Sequence, residues 1–278
     1  MSSLVFMPNI EADEDDKMVK IGAVVGYVTT SEQIPTDLAK DYLTPDILNS
    51  LSEKYLGPLF FSHYGSRLKS AVLMNGEAQT SEFLTLLAES LEENDIVDAY
   101  HLGHNMFYER HENDQDWKAW VYEEFGTTPP GNDKVFLQKQ KEKRVEAEKV
   151  IETIEKNRHK LRLAYSTGCS DKRGKSIMRA MGFRSYVSHV GKSMSPIFVK
   201  PFLCKWLNGI LLSSAVGYAN GVMLKIYMPV YDRVYRHIDP TVTPGGTIAY
   251  YYGENITDML TPNYAEEESC ENVYWMDD

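Results

Sequence analysis

The alternation of apolar and polar positions divides the chain into a few strands and many helical segments. Met18 to Thr30 (MVKIGAVVGYVTT) is apolar and β-branched, which predicts a strand. Thr44-Pro45-Asp46 is a helix start: a capping hydroxyl, a proline at the first helical position, and an acid at the positive end of the dipole. Ile47, Leu48, Leu51, Tyr55 and Leu56 then share one face, and Gly57-Pro58 predicts the stop. A second helix is expected from Ser81 to Glu93, with Phe83, Leu84, Leu87 and Leu91 inward. A third covers Gln115 to Phe125, capped by Asp114 and burying Trp117, Trp120 and Val121.

The segment GTTPPGN, 126–132, breaks the pattern and reads as a hinge or subdomain boundary. The longest helical pattern follows, from Asp133 to about Tyr165, with a stripe of Ala147, Val150, Ile151, Ile154, Leu161 and Tyr165 that Arg158 interrupts. Lys175 to Met181 is a short helix stopped by Gly182, and Ser195 to about Ala219 a longer one. Val222 to Ile238 alternates in part and reads as strand, with Pro229 weakening its middle. Gly246 to Gly253 (GTIAYYYG) is a further short strand. These segments predict an α+β protein, mostly α-helical, with short strands near the N-terminus and in the C-terminal third. Its expected parts are an acidic arm (1–16), an acidic strand-plus-helices region (17–125), the hinge (126–132), a basic helical region with short strands (133–257) and an acidic tail (258–278).

Charge changes this picture from fold to function. The net charge is −11, yet it is segregated. Residues 1–133 hold 8 basic and 24 acidic side chains, residues 134–205 hold 18 and 6, and residues 206–278 hold 3 and 10. From Lys156 to Lys205 there are twelve cations and one acid, Asp171. Like charges repel, so such a block asks for a neutralising partner. Tyr165, Phe183 and Tyr186 are interleaved with these cations, which is the composition of a groove that pairs phosphates and stacks bases. The expected function is therefore a non-enzymatic RNA-binding assembly protein, of nucleoprotein or viral coat-protein type. It would bind single-stranded RNA in a groove of Arg158, Lys160, Arg162, Lys172, Arg173, Lys175, Arg179, Arg184, Lys192, Tyr165, Phe183 and Tyr186, and form homo-oligomers through its terminal arms. A scaffold joining basic and acidic surfaces of its own copies is the alternative.

Catalytic motifs are incomplete. GCSDKRGKS, 168–176, has five residues between its glycines where a phosphate loop needs four, and a second GKS at 191–193 has Tyr186 where glycine is required. His101, His104 and His111, with Asp98 and Glu109, would make a metal-dependent hydrolase the enzymatic alternative, although the HExxH pattern is absent. Cys169 lies among cations that lower a thiol's pKa, but nothing in the sequence relates a base to it. No cofactor is expected. Three widely spaced cysteines, Cys169, Cys204 and Cys270, argue against a disulfide framework and for a reducing, cytoplasmic setting. The uncharged run Trp206 to Leu224 is long enough to span a bilayer, but its asparagines, serines and glycines favour a buried helix without stable membrane insertion.

Overall fold

The computed structural model describes residues 19–29, 45–74, 79–103, 107, 113–130, 138–168, 173–191, 195–230 and 248–256. Both expected arms, 1–16 and 258–278, lie outside them. The elements in chain order are β1 (Ile21–Thr29), α1 (Pro45–Tyr64), β2 (Leu68–Met74), α2 (Gln79–Glu93), β3 (Ile96–Gly103), α3 (Trp117–Glu124), α4 (Gln138–Asn157), β4 (Leu161–Ser166), α5 (Gly174–Met181), β5 (Ser185–His189), α6 (Ser195–Trp206), α7 (Leu212–Val230) and β6 (Ala249–Gly253). Helix outweighs strand, as the pattern predicts. The predicted strands near the N-terminus and in the C-terminal third are present as β1 and β6.

The six strands form one sheet in the order β2-β1-β3-β4-β5-β6. β1 to β5 are parallel, and β6 is antiparallel to β5. Each parallel neighbour needs a crossover, and crossovers are right-handed. The step from β1 to β2 runs one way along the sheet and the step from β2 to β3 runs back, so α1 and α2 must lie on opposite faces. They do. One core layer joins Phe83, Leu84, Leu87 and Leu91 of α2 to Trp120, Val150, Ile154 and Ile177 from α3, α4 and α5. The other joins Leu59, Phe60 and Tyr64 of α1 to Phe202, Trp206, Ala215 and Val216 from α6 and α7. Strands buried on both faces carry continuous apolar runs instead of alternation, as IGAVVGYVT does. Strands from both sides of residues 126–132 belong to this sheet.

Several local expectations shift for physical reasons. The stop at Gly57-Pro58 is overridden, because α1 continues through Pro58 and buries Leu59, Phe60 and Tyr64 against the sheet. The cap of α3 is Asp116, whose carboxylate accepts from Ala119 N at 3.0 Å; Asp114 instead accepts from Asp116 N. The long helix predicted to Tyr165 ends at Asn157, and a single 3₁₀ turn leads into β4. LRLAYS is a short apolar run, and pairing with β3 makes it strand. The helix from Ser195 is two helices, split by a turn over 207–209. The strand read into Val222 to Ile238 is helical as far as Val230, since Val222 and Met223 pack into the core from α7. His101, of the histidine cluster, is on β3. Among the described residues no helix is long and apolar enough to cross a membrane.

Close approaches pin the layers. A Cβ on Gly22 of β1 would fall 2.3 Å from the Asn94 side chain at the end of α2. A Cβ on Gly174, the first residue of α5, would fall 2.4 Å from the Phe107 ring and 2.7 Å from the Tyr186 hydroxyl. Helix α5 therefore begins in contact with the end of the sheet.

Candidate functional site

In an open parallel sheet, side chains and loops at the carboxyl ends of the strands form the ligand crevice, above all where the winding direction reverses. Here that point lies between β1 and β3, and the adjoining exits of β3 and β4 carry most of the polar chemistry. The pairing register aligns His101 with Ser166. Beyond it, Thr167 ties the two exits together. Its backbone N–H donates to His101 O at 3.0 Å. Its Oγ1 accepts from Gly103 N at 2.7 Å and lies 3.4 Å from Gly103 O, to which it donates. Gly168 N donates to Ser166 Oγ at 3.2 Å, turning the chain after β4.

Two residues weighed separately in the sequence are brought into relation by this register. His104 is three residues beyond His101, and Cys169 is three residues beyond Ser166. Both lie outside the described residues, but each is joined by one peptide bond to a residue of the clamp, Gly103 or Gly168. Four residues after Cys169 the chain enters α5, preceded by Arg173. Crossover helices run antiparallel to the strands they connect, so α5 presents its N-terminal, partially positive end to the same edge. His189 ends β5 along this edge. It is fully buried, with Nε2 3.3 Å from the Tyr165 hydroxyl and its ring edge-on to Phe198.

The predicted groove residues separate into three groups. Tyr165, Phe183 and Tyr186 are core side chains, 1%, 3% and 0% exposed, so they offer no free face for stacking bases. Burial pushes the Tyr165 hydroxyl well above its usual pKa. Arg162 is 3% exposed and forms a two-pronged ion pair with Asp98, its Nε 2.9 Å from Oδ1. Tyr64 OH donates to the same carboxylate at 2.7 Å and pairs with Tyr100 OH, which accepts from Trp206 Nε1. The interior consumes that cation, and it cannot meet phosphate. Lys160 donates to Leu91 O at 2.7 Å, Arg158 donates to Ala180 O at 2.8 Å, and Arg184 pairs with Glu254. Lys175 and Arg179 lie on the outward side of α5 with Tyr252 of β6, and Arg173 sits half-buried at the start of that helix. Lys172 and Lys192 lie outside the described residues. The ten of these residues that are described thus do not form one groove.

His111, the third member of the histidine cluster, also lies outside the described residues. Among those described, no three His, Cys, Asp or Glu side chains converge as a metal site would need. His101 is buried against Phe83, edge to face. Cys204, buried in α6, is disulfide-bonded, which departs from the expectation of three unpaired thiols; the chain's other two cysteines, Cys169 and Cys270, both lie outside the described residues. The thiol count therefore no longer argues for a reducing compartment. The class defined by the fold is a doubly wound α/β protein with an antiparallel edge strand. No family model, curated protein or solved structure matches the chain.

Proposed function

We propose that the protein is a thiol-dependent hydrolase acting on an acyl bond such as an amide or ester, with His104 as base and Cys169 as nucleophile, its thiol left free because Cys204 pairs with Cys270. The observation that carries this reading is the register of β3 and β4, clamped by Thr167, from which a histidine and a cysteine depart at equal distance. Cys–His chemistry needs the imidazole within hydrogen-bond reach of the sulfur. In the reaction, His104 takes the Cys169 proton and the sulfur attacks the carbonyl carbon. The amine or alcohol leaves with that proton, and water then cleaves the thioester with His104 again as base.

The test is the pH dependence of iodoacetamide alkylation at Cys169, read by mass spectrometry. The expected profile titrates clearly below the free-thiol value of about 8.5. His104→Ala should raise it and slow alkylation at neutral pH. Cys169→Ala should abolish turnover of peptidyl amide and ester substrates. A profile at the free-thiol value that ignores His104→Ala would remove the basis of this reading.

A second reading keeps part of the polyanion expectation, because Lys175 and Arg179 share an acid-free cleft with a tyrosine.

A further inference from the structure

The outward side of α5 faces the edge strand β6. Ile177, Met178 and Met181 bury the inner side of this helix, so Lys175, Ser176 and Arg179 are left on the outer one. With Gln115, Ala180 and Tyr252 they line a cleft of about 500 Å³. Not one of these six lining residues is an acid, in a chain with 40 acids and 29 cations. The Lys175 ammonium lies 5.5 Å from the centroid of the Tyr252 ring, and that ring stacks at 6.5 Å on buried Tyr186. Tyr250 precedes Tyr252 by two residues, so it projects from the same face of β6, about 7 Å further along the strand. Its side chain is 47% exposed.

We infer that this surface binds a short stretch of single-stranded nucleic acid, with phosphates at Lys175 and Arg179 and a base against Tyr250. Two features select that partner over an acidic protein segment. Lys175 is paired with an aromatic ring, and each base has a π-face that stacks on such rings regardless of sequence. The platform is also stiff: Gly174 is packed on Phe107 and the Tyr186 hydroxyl, and β6 is held by its ladder to β5. Rings held in place lose little freedom on binding. The rings sequence reading nominated, Tyr165, Phe183 and Tyr186, give way to two from a distant part of the chain. The site does not depend on Cys169.

The test measures a fluorescent oligouridylate by anisotropy against salt. Two phosphate contacts on a single strand predict a slope of log affinity against log salt of about −1.4. Lys175→Ala with Arg179→Ala should remove most of that slope. Tyr250→Ala should weaken binding at least about fivefold, and Tyr250→Phe should restore it. Cys169→Ala should leave affinity unchanged. The inference is overturned if the oligonucleotide fails to bind at low salt, if the double variant binds as the parent does, or if polyglutamate competes as well as oligouridylate. Because Tyr250 and both cations are surface residues, none of these variants should impair folding, which thermal melting checks.

Discussion

β3 and β4 carry ionisable side chains at both of their ends, and the two ends treat them in opposite ways. At the amino end, Asp98 and Arg162 are sealed into the core. The partners of that carboxylate are internal: the guanidinium, the Tyr64 hydroxyl and Leu163 N. Arg162 also lies 5.3 Å from the centroid of the Trp206 ring. At the carboxyl end, the polar atoms of Thr167 and Gly103 satisfy one another, and the chain then leaves the sheet toward His104 and Cys169. The first arrangement spends charge on holding two strands and two helices together. The second holds backbone in register. A cation in a basic run looks the same in sequence whether it ends in the core, as Arg162 does, or at the surface, as Arg179 does.

The largest expected effect tests the amino end. Arg162→Ala leaves the buried Asp98 charge without its partner, and such a loss costs about 3–5 kcal/mol. Urea unfolding should show it. Replacing both partners by apolar residues of similar size should cost much less. A single variant as stable as the parent would mean that the pair is not desolvated.

The next effect tests the carboxyl end. Thr167→Val strands the Gly103 N–H and should cost about 1–3 kcal/mol. Unlike Arg162→Ala, it should also raise the apparent pKa of Cys169 alkylation, with Thr167→Ser restoring both stability and pKa. If Thr167→Val changed stability and left the alkylation profile alone, the clamp would be structural only.

Tyr165 supplies a pH test. Its hydroxyl has a raised pKa in the folded state, through burial. In the unfolded chain it ionises near the reference value of about 10. Stability should therefore be unaffected by this group up to about pH 10, and decline above it as the unfolded state releases the proton first. Tyr165→Phe should flatten that alkaline limb in thermal melts at increasing pH.

The smallest effect contrasts surface with core. Arg184 and Glu254 make an ion pair like that of Arg162 and Asp98, but their side chains are 51% and 58% exposed. Glu254→Gln should cost less than about 1 kcal/mol, and salt should screen what remains.

Local patterns anticipated much of the fold and little of the site. The inward face of α2, the tryptophans of α3, the Gly182 stop of α5 and the strands β1 and β6 were all legible, because each follows from neighbouring residues. Gly182 has a φ of 129°, which side chains resist. β3, β4 and β5 were not legible as strands. Buried on both faces, they lack the period-two alternation that marks a strand, and their polar members, Asp98, His101, Arg162 and His189, resemble surface residues. Charge was legible as a block but not as a surface, since composition cannot say that Arg162 points inward while Arg179 points out. Neither could spacing align His101 with Ser166, which are sixty-five positions apart.

By itself, then, the sequence determined the helix-rich mixture of elements, the charge segregation and several element ends, because these depend on residues within a turn or two of each other. The tertiary structure alone decided that β3 and β4 are parallel neighbours in register, that the predicted stacking rings are core, and that the ring beside the Lys175 ammonium, Tyr252, belongs to β6. Those outcomes depend on the order of strands in the sheet, and strand order is set by the burial of two whole faces at once.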